Sequence, residues 1–262
     1  MKFDPSNPPY IPGGFPTLDR RTVSMAATHC LPPAPLGEGG CAREPHYNVH
    51  NLYGLSEAIA TRKAVDKIIG SRSLIIARST YPGSGQVSGA WLGDTASSWG
   101  DLRLSVAGTL SMGILGVPMV GADICGFAGN TTRELCVRWH QLGSLYPFSR
   151  NHNELYGVPQ EPYAFDAEAL AIIRRALLTR YSLVSYLYSL AHQAHADGTP
   201  IWRPLLMEFG GELGEVAGLD EQFMLGPCIL VSPVLREGRT SVRAYLPRGR
   251  WFEFGGGREV AG

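Results

Sequence analysis

The sequence lacks a long hydrophobic run, an excess of charge of either sign, and the glycine-rich strings of nucleotide binding. Its longest apolar stretches, such as Gly113 to Gly121, are too short to span a bilayer, so no membrane segment is expected. Lysine and arginine number 23 and aspartate and glutamate 23 in 262 residues. That balance gives no basic face or acidic tail, and it argues against nucleic acid or an anionic membrane as the main partner. No Gly-x-Gly-x-x-Gly or P-loop string occurs, and Gly83-Ser84-Gly85 has no nucleophile-elbow pattern around it. His46, His50, Asp94 and Asp123 do not stand at local metal-ligand spacing, so neither a metal nor a cofactor is expected. The amino terminus has no apolar core of the kind a secretory signal needs. It reads MKFDPSNPPYIPGGFP, a Pro-rich loop, and a start inside a loop leads us to expect upstream sequence beyond it.

What is present is ordinary globular composition, 44% hydrophobic and 18% charged, enough for one large domain and a small one. Residues 1–53 read as loop, because their prolines and the stretch Leu31 to Gly40 oppose long regular elements. Helical spacing then runs over Leu55 to Ile69 and stops at Gly70, a C-cap residue. Apolar strand runs follow at Ser73 to Ala77, Gly89 to Leu92 and Val117 to Ala122, with helices expected over Ser98 to Leu115 and Thr132 to Leu145. Asp166 to Ala196 reads as the longest helical region, with one wide buried stripe through Leu170, Ile173, Leu177, Tyr181, Val184, Leu187 and Ala191. Apolar strands alternating with helices imply a parallel sheet, and we count about four βα units, roughly half of an eight-fold barrel. From Leu219 the pattern changes to β-type runs, Cys228 to Leu235, Ser241 to Leu246 and Trp251 to Phe254. The expected class is therefore α/β, the C-terminal half of a (β/α)8 TIM barrel followed by the start of an antiparallel β-sandwich domain. Its divisions are 1–53, a loop-rich segment; 54–205, the βα units; and 206–262, the β domain.

In βα barrels chemistry sits where strands end. Arg78 follows SLIIA, Asp94 ends GAWLGD, Asp123 ends MVGAD, and His152 lies in SRNHN, with Trp91 and Phe127 close by. Such a set suits a polar, neutral ligand held by hydrogen bonds and stacking. Each residue also has a plainer reading. Asp94 would cap the helix starting near Ser97, Asp123 would be a turn residue before Gly126, Arg78 would pair with either carboxylate, and His152 would be satisfied by loop carbonyls. The five cysteines are Cys30, Cys41, Cys125, Cys136 and Cys228. The sequon Asn130-Thr131-Thr132 lies between Cys125 and Cys136. Either this is a secretory loop closed by a disulfide, or the sequon is chance and the thiols are buried and free.

The strings NPPY, HYNVHNLYG, ARSTYPGSG, WLGDTASSW, VGADICGF, ELCVRWHQLGSLYPFSRNHN and PQEPYAF resemble the α-glucosidases of glycoside hydrolase family 31, in particular their lysosomal branch. The resemblance covers nearly the whole chain. It implies a retaining exo-glucosidase acting on α-1,4 bonds, with α-1,6 bonds a further option, of maltose-type oligosaccharides or glycogen. It implies Asp94 as general acid/base and Arg78, Trp91, Asp123, Phe127 and His152 around the sugar, Trp91 beside the acid. It implies a disulfide between Cys125 and Cys136, glycosylation at Asn130, and a secretory, lysosomal location. Retention needs a second carboxylate about 5–5.5 Å away. In the family that nucleophile lies in a WxDMNEPS-like string just before NPPY, which this sequence does not contain, and Asp4 and Asp19 do not match it. Cys30 resembles a cysteine whose partner lies upstream, which leaves it orphaned unless it pairs with Cys41. The expectation is half a catalytic site, inactive alone. The alternative is a non-catalytic relative that binds carbohydrate or folds only with partner segments, and a family member specific for another sugar, such as a xylosidase, stays open beside both.

Overall fold

The computed structural model describes residues 3–11, 16–31 and 42–260. The first paired strands are β1 (Thr28–Leu31) and β2 (Ala42–Pro45), which run antiparallel with Cys30 opposite Arg43. This adds a short strand pair to the loop-rich segment expected over residues 1–53. Prolines forbid long elements there, but a four-residue pair survives where proline stands only at its end, in Pro45. Cys41 lies outside the described residues. Cys30 is disulfide-bonded, so it is not orphaned.

Helix Tyr53–Ile69 follows, and its last turn closes on Gly70 in the left-handed conformation at φ 66°, as the sequence predicts. Strands β3 (Ile76–Ala77), β4 (Gly89–Trp91) and β5 (Val120–Gly121) form a parallel ladder with β4 in the centre. Strand β6 (Asp123–Ile124) pairs in parallel with β7 (Arg150–Asn151). Helix Trp99–Ile114 crosses between β4 and β5, and Arg133–Gly143 between β6 and β7. Both helices start on hydroxyl caps. Ser98 Oγ accepts from Asp101 N at 3.0 Å and Thr132 Oγ1 from Leu135 N at 3.3 Å. Asp94 is therefore not the cap of its helix. Two further helices, Ala167–Ser182 and Val184–Asp197, lead to β8 (Trp202–Arg203), β9 (Phe223–Leu225) and β10 (Ile229–Val231), an antiparallel ladder with β9 in the middle. Strands β11 (Trp251–Phe252) and β12 (Glu259–Val260) make a last hairpin.

The main core gathers Leu102, Val106 and Leu110 from one face of helix Trp99–Ile114 with Leu135, Trp139 and Leu142 from helix Arg133–Gly143. Trp202 and Phe223 join it from the antiparallel ladder, with their rings stacked 3.5 Å apart. One apolar core thus runs from the parallel strands into the antiparallel ones. Burial of this kind stabilises by roughly 25 cal/mol per Å2 of apolar surface.

Three expectations are corrected. The stripe over residues 166–196 is only partly buried. The helix breaks at Leu183, Ile173 is buried, and Tyr181 is 74% exposed. The run Ser73 to Ala77 is not a buried strand, because β3 is the edge of its ladder and Leu74 is exposed. Ser241 to Leu246 forms no strand. Its backbone is held in part by a side chain, since Gln222 Oε1 accepts from Tyr245 N and Gln222 Nε2 donates to Tyr245 O. The remaining β-type runs contract to β10 and β11.

Candidate active site

Parallel pairing sets Ile76 beside Gly89 and Trp91 beside Gly121, so the segments leaving β3 and β4 emerge on one side of the ladder. Arg78 and Asp94 stand there, and Arg78 Nη1 lies 3.9 Å from Asp94 Oδ2. Both side chains are open to solvent, 62% and 50% exposed respectively. The pair depends on Gly93. At φ 83° this position suits glycine, and a Cβ there would come within 2.7 Å of Arg78 Nε. Gly93→Ala is expected to cost about 1–2 kcal/mol through its left-handed backbone and to push Arg78 off Asp94. Urea melts and the Arg78 Nε resonance check this, and an unshifted resonance would contradict it.

The second pair is buried. Asp123 and Arg150 are direct neighbours across β6 and β7, and Arg150 Nη2 donates to Asp123 Oδ1 at 2.5 Å. The Asp123 side chain is 1% exposed. Burial pushes its carboxyl above the usual carboxylate range, while the Arg150 bond and charge and the charge of His152 pull it down. The charge of Asp94 pushes it up as well. Asp94 and His152 therefore both lie within electrostatic reach of Asp123. Asp123 Oδ2 and Arg150 Nε are buried without a hydrogen-bond partner among the described residues. They leave hydrogen-bonding capacity beside the rim.

The Arg150 guanidinium lies 5.3 Å from the Trp91 ring centre and 5.4 Å from that of Phe148. Trp91, expected beside Asp94, is thus engaged by Arg150. Phe127 and His152 bring their rings to 5.3 Å. Backbone bonds join the loops that carry these groups. Phe127 N donates to Thr95 O at 2.7 Å, and Glu154 N to Phe127 O at 3.1 Å. Gln160 is buried between them, with its Nε2 3.1 Å from Ile124 O, 3.0 Å from Asn151 Oδ1 and 3.2 Å from His152 O.

The structure thus brings Arg78, Trp91, Asp94, Asp123, Phe127 and His152 to one rim. It adds Arg150 and Gln160, which the strand-end reading passed over. Arg150 had a signal, since it lies two residues before His152 in SRNHN. Gln160 had none, because its partners become neighbours only through the fold. Cys125 and Cys136 are bonded, so neither is a free thiol. Asn130 is exposed, and its Oδ1 accepts from Val158 N at 3.0 Å. No helix among the described residues is long and apolar enough to cross a membrane.

Comparison with known proteins gives the same family along the chain. Residues 6–190 match the glycosyl hydrolases family 31 TIM-barrel domain, and residues 198–262 the family 31 C-terminal domain. The chain is 47% identical to the lysosomal α-glucosidase of Mus musculus over 246 residues, 94% of this chain and 25% of that protein. It is 42% identical to α-xylosidase 1 of Arabidopsis thaliana, over 94% of this chain and 26% of that protein. Among solved structures, a family 31 dextranase of Flavobacterium johnsoniae complexed with glucose is 32% identical, with a TM-score of 0.79 over 83% of this chain and 28% of that one. The chain spans about a quarter of the length of these curated relatives. On matches that cover almost every residue, the chain belongs to glycoside hydrolase family 31.

Proposed function

We propose that this chain carries the acid/base half of a retaining α-glucosidase site, on the C-terminal half of a (β/α)8 barrel that leads into a β-sandwich domain. The divisions at 53/54 and 205/206 belong to this proposal, with β8 before the second division pairing to β9 after it. Asp94 protonates the leaving oxygen and then deprotonates the attacking water. Arg78 holds its carboxylate oriented. Asp123, Phe127 and His152 form the polar and stacking wall of the sugar pocket, and Trp91 with Arg150 closes one side. The substrate is an α-glucoside oligosaccharide, in the secretory pathway and lysosome, with Asn130 glycosylated. The observation that carries this reading is the solvent-facing Arg78–Asp94 pair, within electrostatic reach of a buried Asp123–Arg150 pair.

Retention requires a second carboxylate free to attack carbon. Asp123 does not fit that role, because it is buried and bonded to Arg150. The 262-residue chain is therefore expected to release no glucose from maltose. Glucose release by the purified chain, abolished in Asp94→Ala, would overturn the half-site reading.

A further inference from the structure

Away from the rim, three histidines form a hydrogen-bonded row. His29 Nε2 lies 2.8 Å from His46 Nδ1, and His50 Nδ1 lies 3.0 Å from His46 Nε2. The Thr22 hydroxyl is 3.0 Å from the same His46 Nε2. The ring centres are 4.8 and 4.7 Å apart, and His46 is 2% exposed. The middle ring therefore has both nitrogens engaged, and on opposite sides.

Proton counting limits what this row tolerates. Each nitrogen-to-nitrogen contact needs one hydrogen between its two atoms. Three neutral rings satisfy both contacts, with His46 donating on one side and accepting on the other. One added proton is also accommodated, either on His46, which then donates both ways, or on the far nitrogen of an end ring. Two added protons are not. Whichever rings carry them, at least one contact sets N–H against N–H. Burial already disfavours a charged His46, and the charges of His50 and His29 act in the same direction.

The row ties separate pieces of chain together. His29 lies on β1, His46 follows β2, and His50 is in the turn entering helix Tyr53–Ile69. His46 N donates to Ala27 O at 2.7 Å and Tyr47 N to Met25 O at 3.0 Å. At Gly54, in the first turn of that helix, a Cβ would come within 2.6 Å of the Ser79 side chain, next to Arg78. On β2 the charged neighbours are Arg43 and Glu44. Glu44 stands opposite His29 on β2 and its Oε2 accepts from Asn48 Nδ2 at 3.0 Å. Arg43 stands opposite Cys30, and Tyr47 meets the Phe3 ring at 5.4 Å.

We propose that His29, His46 and His50 form a proton-counting latch that pins hairpin β1–β2 to the turn entering helix Tyr53–Ile69 and releases it when a second proton binds. The sign follows from linkage. The open segment binds more protons than the closed one, so closure is favoured as pH rises and weakens as pH falls below about 6.5. The released element is a hairpin held to the turn that leads to Gly54, whose close neighbour is Ser79.

Hydrogen exchange of the His46 and Tyr47 amides in the 262-residue protein tests the latch, after correction for the intrinsic pH dependence of exchange. Between pH 6 and pH 5 the opening constant is expected to rise about tenfold per pH unit for each extra proton taken up. In His29→Gln/His50→Gln the amide side chains donate and accept without titrating, and the pH slope is expected to fall to no more than the one proton that buried His46 itself takes up on opening. An NMR titration of labelled imidazoles in the unsubstituted protein decides independently of whether that variant folds. The latch predicts coupled curves, with His46 titrating below the ordinary histidine value. Three independent curves near the ordinary histidine value, a flat opening constant, or an unchanged slope in the variant would overturn it.

Discussion

Arg150→Ala is expected to destabilise the folded chain by about 3 kcal/mol, because it leaves the buried Asp123 carboxylate without its cation. The guanidinium does three things at once. It neutralises Asp123, donates to Oδ1, and packs its plane against Trp91 and Phe148. The pH dependence has a definite sign. Burial raises the Asp123 carboxyl above its ordinary value of 3.8, so the native state binds more protons than the unfolded state just above that value. Stability from this group is full below about pH 3.8 and falls as pH rises through the raised range. Loss of Arg150 raises that range further, so the cost of the substitution is full at neutral pH and shrinks in acid. Replacing both partners, as in Asp123→Leu/Arg150→Met, removes the stranded charge and is expected to cost less than Arg150→Ala alone. Urea melts at pH 7 and pH 4 measure all of this. A loss under about 1 kcal/mol, or one that grows in acid, would contradict the buried pair.

Trp202→Ala is expected to cost about 4 kcal/mol, the middle of the range for deleting a fully buried aromatic. Trp202 is 1% exposed and lies between Tyr146, at 5.4 Å, and Phe223, at 3.5 Å. Its indole N–H donates to Leu145 O at 2.8 Å. Leu145 and Tyr146 belong to the turn before β7, whereas Phe223 belongs to the antiparallel ladder. The indole therefore helps join the two sheet systems in one core. Truncation leaves a cavity and removes the N–H donor from the Leu145 carbonyl. Trp202→Phe keeps much of the ring and loses only the N–H and some volume, so it is expected to lose about 1–2 kcal/mol. Equal melts for the two variants would contradict this division between packing and hydrogen bonding.

Much of the rim is legible in the sequence for a simple reason. A parallel strand delivers the residue after its last apolar position to a fixed side of the sheet, so Arg78, Asp94 and Asp123 can be placed by counting along apolar runs. The caps are legible too, since Thr132 and Gly70 are local signals that need no tertiary partner. The partnerships are not. Which cation meets Asp123 depends on the register of β6 against β7, and no local pattern encodes that register. The apolar stripe over residues 166–196 shows the opposite limit. Helical spacing states which face seeks burial, and the exposed Tyr181 shows that seeking it is not finding it. The short hairpin β1–β2 escaped because a proline-rich composition describes a segment on average and not its few proline-poor residues.

The most direct test maps a glucose-mimicking iminosugar onto the 262-residue chain by NMR, in the unsubstituted protein and in Arg78→Met and Asp94→Asn. If the rim is half of an α-glucoside site, resonance shifts cluster on Trp91, Phe127 and His152 and disappear in both variants. Shifts scattered over other surfaces, or a cluster indifferent to both substitutions, would contradict it.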